Sequence, residues 1–396
     1  MKPKPRLHFN ELDGYRGCAA LLVVMYHVYT YSSKGRAVYT DTPLHPFFDS
    51  LHGAVAWFFV LSGFLIFLPF AQAALNQRAP ESTRGFLVRR AIRILPAYVA
   101  VILPTAPVLY THEPSQMIDL LKHLLFIHIF DDRTIFSILS PAWSVGDEVI
   151  YYLFLAGLGP LLYQLCRACA TRRARTTAMA LPIGALIGAS ILYKVWAYAI
   201  AGIPLDVNHG SIYNGPAAKF DTFGIGMLLA VAYATRERPL FGLRQAQLLR
   251  IGGGLLLLGL LPWRLSSTPA ELSFATLSGV GFALLLGSTI LGPRPSRWET
   301  LLTAPPLRGL GLVSYSLYLW HEMVILLLIA TGVLVRGSAL AFPICLLITI
   351  ACSLVVATAS YRFIERPALQ LRKRFATDGI WRGLNNRTAV ASQPGD

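Results

Sequence analysis

Arg16 and His27 stand eleven residues apart in one apolar run that opens with Leu12-Asp13-Gly14-Tyr15-Arg16-Gly17. On a helix that spacing is about three turns and roughly 16 Å of rise, on nearly the same face. A guanidinium at one end of that face can hold an anion. A neutral imidazole at the other can take a proton from a hydroxyl near pH 7. Ionisable groups inside a membrane helix are costly, and so are functional candidates by default. For His27 alone, an imidazole satisfied by a nearby hydroxyl or carbonyl weighs equally. Asp13 adds an acid at the start of the same run.

Four further groups carry the same kind of signal. In Arg89-Arg90-Ala91-Ile92-Arg93, the pairs Arg90/Arg93 and Arg89/Arg93 are three and four residues apart, so each can share a helix face. Two guanidiniums on one face suit phosphate oxygens, although a cluster of this kind more often anchors a span on its basic side. Asp147 and Glu148 follow Trp143-Ser144 near the start of another run. There they either complement a helix dipole or supply a carboxylate that orients a histidine or takes an acceptor hydroxyl. His321 and Glu322 follow several hydroxyls in Ser314-Tyr315-Ser316-Leu317-Tyr318, and Lys219 and Asp221 are close enough in sequence to suggest a structural ion pair. No glycine-rich phosphate loop, no H-E-x-x-H and no G-x-S-x-G is present, and no metal site is expected. Cys166 and Cys169 form a C-x-x-C without a second pair, which reads as helix packing.

The elements that must position these groups are membrane spans. The 396 residues are 55% hydrophobic and only 14% charged, against about 25% charged in soluble domains. The apolar runs predict an all-α polytopic bundle of about ten transmembrane helices, near residues 12–31, 53–75, 94–110, 143–165, 178–201, 216–234, 251–261, 272–291, 310–334 and 340–363. A long loop is expected at 111–142. The net charge of +15 is not a nucleic-acid signal, because the arginines cluster in every second loop. That alternation places both termini in the cytoplasm. The first run contains Arg16 and offers no convincing small-residue cleavage site, so it reads as a retained span and not as a signal peptide. The expected organisation is a basic tail at 1–11, a membrane domain at 12–366, and a basic, then polar and disordered, tail at 367–396.

The pattern L-D-G-x-R-G-x-A-A-L-L-V-V-x-x-H resembles the opening of the acyltransferase family 3 membrane proteins. That family includes O-acyltransferases of bacterial polysaccharide, lipopolysaccharide and macrolides. The likeness continues through Phe58-Phe59-Val60-Leu61-Ser62-Gly63-Phe64, Arg89-Arg90-Ala91-Ile92-Arg93, Trp143-Ser144 with Glu148, Phe220-Asp221, Gly226-Met227-Leu228 and Ser314 to His321, and ends at Glu365-Arg366-Pro367. It implies transfer of a short acyl group, acetyl first, from acyl-CoA as co-substrate to a hydroxyl of a sugar or glycoside, with no permanently bound cofactor. It implies that His27 is the catalytic base, with Glu148 as its catalytic partner. Arg16, Arg90 and Arg93 would hold the donor, and Asp13, Asp221 and His321 would meet the acceptor. Gly146-Asp147 and Val149-Ile150 around Glu148, and Glu322 after His321, depart from the family pattern. From a different class, a transporter of a small organic anion would line an aqueous path with the same charges.

Overall fold

A computed structural model describes residues 9–33, 38–109, 114–236, 239–293 and 296–375. Most of the expected basic N-terminal tail and the polar tail beyond Phe375 lie outside these residues. Among the described residues there is no strand, and ten long helices form the bundle: α1 Asn10–Ser32, α2 Ala54–Leu75, α3 Thr83–Leu109, α4 Ala142–Arg167, α5 Arg172–Val195, α6 Pro216–Thr235, α7 Leu243–Trp263, α8 Thr268–Ile290, α9 Pro305–Ala330 and α10 Phe342–Ser360. Eight of them, with their short helical extensions, are long and apolar enough to cross a membrane. The other two are α1 and α3, the helices that carry Arg16, His27 and the Arg89–Arg93 cluster. The chain is an integral membrane protein.

The ends of the helices pair as the arginine alternation requires. Arg175 at the start of α5 donates to the Leu75 carbonyl at the end of α2 (2.6 Å), and Arg172 donates to Ala234 at the end of α6 (3.0 Å). Arg93 in α3 meets Glu365 just beyond α10. At the opposite end Arg264, after α7, is paired with Asp49 and with Glu271 of α8.

Several boundaries differ from expectation. α3 begins at Thr83, eleven residues before the expected span, so Arg89, Arg90 and Arg93 lie inside the helix and not in a loop before it. α7 runs unbroken over 21 residues where a short span was expected. The long loop contains a helix at Pro114–Leu124 and a 3-10 turn at His128–Phe130. The tail after residue 366 starts as a helix, Arg366–Phe375.

Backbone contact at glycine fixes two crossings. A Cβ on Gly63 of α2 would stand 2.0 Å from the Phe223 carbonyl, and one on Gly226 of α6 2.1 Å from the Val60 carbonyl. A Cβ on Gly311 of α9 would stand 2.0 Å from the Asp13 carbonyl, and one on Gly17 of α1 2.9 Å from the Leu307 carbonyl of α9. Lipid tails are as apolar as leucine, so membrane helices gain by such close approach more than by burying oil. The glycines of the opening motif therefore seat α1 on α9. The centre of the bundle is α1, α2, α6, α8 and α9. α5, α7 and α10 are peripheral, with Leu192, Leu248, Leu255, Leu347 and Val355 on their outer faces.

Candidate active site

A cavity of about 130 Å³ opens between α1, α2, α3, α4 and α9. Arg16, Arg90 and Arg93 line it together with Ser62, Glu148, Tyr152, Tyr315 and Tyr318. The three guanidiniums are held differently. Arg16 has Arg93, Asp13 and Glu148 as charged neighbours, yet enters no hydrogen bond or ion pair among the described residues. Arg90 lies 5.6 Å from the ring centroids of both Phe86 and Tyr152, and its Nε is buried without a partner. Arg93 bonds Glu365 at 3.0 Å and lies 5.5 Å from the Tyr315 ring. Glu365 sits on a π-helical turn, Tyr361–Glu365, and also accepts from the Ser316 hydroxyl. Two of the three cations therefore keep their charge available to an incoming anion. Arg89 is turned away from this group and paired with Glu81.

Glu148 stands with the arginines. Its Oε1 accepts from the Ser62 hydroxyl (2.8 Å) and the Tyr152 hydroxyl (2.5 Å). The side chain in hydrogen-bond contact with His27 is His321, not Glu148. His321 Nδ1 lies 2.8 Å from the Tyr318 carbonyl and 3.2 Å from that of Leu317. A carbonyl only accepts, so in the neutral ring Nδ1 carries the proton and Nε2 is an acceptor. That Nε2 is 3.1 Å from His27 Nδ1, which is also 3.0 Å from the Val23 carbonyl. His27 Nδ1 therefore donates, and His27 Nε2 is left with a lone pair. The histidines form a directed chain, carbonyl to His321 to His27, ending in a base. Tyr318 joins the two regions. Its carbonyl holds His321, its ring lines the cavity, and its hydroxyl bonds that of Ser144 at 2.6 Å.

The other acids predicted from the sequence lie elsewhere. Asp13 is beside Arg16 at the inner end of α1, with Oδ2 buried and unpaired. Asp221 is fully buried and pairs with Lys194 of α5 at 2.6 Å, with Thr276 donating to the same oxygen. The expected Lys219–Asp221 pair does not form. Lys219 instead lies 5.7 Å from the Trp143 ring. Asp147 is buried with both oxygens unpartnered. Glu322 accepts from the Tyr31 hydroxyl (2.5 Å) and from the Ser140 amide (2.6 Å), tying the outer end of α1 to α9 and to the segment before α4. Outside the spans, burial and His123 push the His128 imidazole down to about 3.

Sequence reasoning passed over Lys194, although a single lysine inside an apolar run is a signal in itself. It also gave no role to Ser62, although that residue stands in a motif shared with the family, or to Tyr152.

The chain is similar over its length to known proteins. It is 26% identical over 387 residues to the peptidoglycan O-acetyltransferase OatA of Listeria monocytogenes, covering 91% of this chain and 56% of that one. It is 27% identical over 389 residues to YrhL of Bacillus subtilis, provisionally named a peptidoglycan O-acetyltransferase, covering 92% and 56%. A Staphylococcus aureus protein provisionally named an O-acetyltransferase is 25% identical, covering 99% and 61%. The chain thus spans little more than half the length of these relatives. No solved structure matches it significantly. The profile of a family described as an acyltransferase domain matches residues 9–358. That stretch holds both histidines, the three cavity arginines and Glu148, and by its extent the chain belongs to this acyltransferase family.

Proposed function

We propose that this chain moves an acetyl or similarly short acyl group from acyl-CoA to a hydroxyl of a sugar or glycoside, in a bacterial cytoplasmic membrane. The reading rests on one observation above all. A single helix carries, at one end, an arginine that faces a cavity and has no ion pair among the described residues, and about three turns away a histidine with an open Nε2. The names of the relatives, which are O-acetyltransferases, agree with it. Membership of an acyltransferase family sets the transporter reading aside.

The chemistry follows from the groups present. Arg16 and Arg90 supply forked donors to phosphate oxygens, with Arg93 sharing its charge between Glu365 and the cavity. The thin arm of the donor would extend from there along α1. His27 Nε2 takes the proton of the acceptor hydroxyl as its oxygen attacks the thioester carbonyl. The C–S bond breaks, and the imidazolium returns the proton to the departing thiolate. His321 stabilises the imidazolium while it carries that charge. Donor and acceptor would displace water from the cavity as they bind, which limits hydrolysis of the thioester.

Arginine alternation puts the donor end on the cytoplasmic side. Sealed vesicles of known orientation test the whole reading. Acyl-CoA given only to the face bearing Arg16 should yield free CoA and acylated sugar, and acyl-CoA given only to the other face should yield neither. Transfer from a donor other than a CoA thioester, or equal transfer from both faces, would overturn it.

A further inference from the structure

A second pocket, of about 250 Å³, lies between the start of α7 and the short helix Arg297–Leu302, with Leu243, Gln247, Arg250, Ser296, Arg297 and Trp298 in its wall. It is at the same end of the bundle as the arginine-lined cavity but on another side of α1. Tyr15 and Arg16 are consecutive and so point about 100° apart. Arg16 lines the cavity, whereas the Tyr15 hydroxyl accepts from Trp298 Nε1 at 2.8 Å.

Three features describe what this pocket would take. First, it carries two guanidiniums. Neither Arg250 nor Arg297 enters an ion pair or hydrogen bond among the described residues. Arg250 lies 5.4 Å from the Trp298 ring centroid, with its Nε buried and unpartnered. Stacking on the indole holds that guanidinium in place without neutralising it. Second, the pocket stands at the edge of the bundle. Only 11% of the apolar stretch of α7 is buried, and Leu243, Leu248 and Ile251 are 62%, 67% and 58% exposed. The pocket mouth therefore adjoins an exposed apolar face, which in a bilayer would meet acyl chains. Third, it sits at the arginine-rich end of the spans and carries a tryptophan, a residue favoured at the membrane interface.

We propose that this pocket binds the phosphate of an anionic phospholipid headgroup, with the lipid tails lying along α7. Two guanidiniums suit a phosphodiester, and basic pockets between membrane helices on this side are suited to such headgroups. Inorganic phosphate shares the anion but gains nothing from the apolar face beside it. The site is independent of the acyl-transfer reading, because no group in it lines the cavity.

The test is retention of phosphatidylglycerol against phosphatidylcholine by the purified full chain in mixed micelles, read by native mass spectrometry. The wild type should retain the anionic lipid preferentially. Arg297→Gln and Arg250→Gln should each lower that affinity about fivefold, the double variant about 25-fold, and Arg250→Lys should keep only part of it, because lysine lacks the fork. Millimolar inorganic phosphate should not displace the lipid. A double variant that melts cooperatively and keeps the wild-type preference overturns the proposal. So does displacement of the lipid by inorganic phosphate, which would make the pocket a free-anion site. Should Arg250→Gln fail to fold, exposed Arg297 decides alone, and an unchanged preference in Arg297→Gln counts against the site.

Discussion

Replacing His321 with alanine separates the base from the group that assists it. His27 Nδ1 has two acceptors, Val23 O at 3.0 Å and His321 Nε2 at 3.1 Å. Removing His321 leaves the Val23 carbonyl, so the tautomer that bares Nε2 survives. What is lost is the bond that strengthens when His27 becomes an imidazolium. A hydrogen bond to a charged group is worth about 1.5–3 kcal/mol. At about 1.4 kcal/mol per factor of ten, turnover should fall roughly 10- to 150-fold. KM for acyl-CoA should stay near its wild-type value, because His321 does not line the arginine cavity. His321→Gln, whose side-chain carbonyl can accept from His27, should recover part of the loss. The assay is steady-state release of free CoA thiol by the purified protein with acceptor present. A loss as large as that of His27→Ala would refute the reasoning, since it would make His321 the base or a member of an indivisible unit. Unchanged turnover would mean that the 3.1 Å contact carries no chemistry.

The other expectations concern distinct parts of the molecule. His27→Ala should fold and insert but lose about two to four orders of magnitude in turnover, and near-normal turnover would remove His27 from the mechanism. Arg16→Ala and Arg90→Ala should raise KM for acyl-CoA more than for the acceptor, with lysine restoring only part because it lacks the fork; a rise confined to the acceptor would reverse the assignment. Asp221→Ala should destabilise by about 3–5 kcal/mol, because it strands the buried Lys194 ammonium. Thermal melting would show this, and a stable variant with only a weakened acceptor KM would return Asp221 to the substrate. His128 is neutral in the fold and titrates near 6.5 once unfolded, so the unfolded chain binds more protons below that pH. Melting temperature should therefore fall as pH drops from about 6.5 towards 3, with a shallower fall in His128→Gln.

The sequence disclosed most where a rule of helix geometry applied unchanged. α1 is unbroken from Asn10 to Ser32, so the eleven-residue phase between Arg16 and His27 carries over directly. Arginine alternation anticipated which helix ends meet. The same geometry also spoke against a Lys219–Asp221 pair, because residues two apart on a helix do not face each other. Other features depended on partners far along the chain. Arg89, Arg90 and Arg93 are equivalent by spacing, and only Glu81 and Glu365 sort them. The family likeness pointed to Glu148 as the partner of His27, whereas the crossing of α1 and α9, set by Gly17 and Gly311, brings His321 there. Hydropathy missed the first turns of α3 because it registers the apolar interior and not the helix that carries arginines into it.

The order in which the chain is made gives α1 an unusual history. Among the described residues it is a long helix that does not count as an apolar span on its own. Its main neighbour is α9, about 290 residues downstream, with close backbone contacts at Leu307 and Gly311. During synthesis, then, the helix bearing both an anion-binding arginine and a base completes its main packing only when nearly the whole bundle exists. A chain truncated before α9 should leave α1 loosely integrated and open to extraction by alkaline carbonate. The donor cavity and the histidine pair would be assembled in one late event, so no partly built chain could expose a working thioester site.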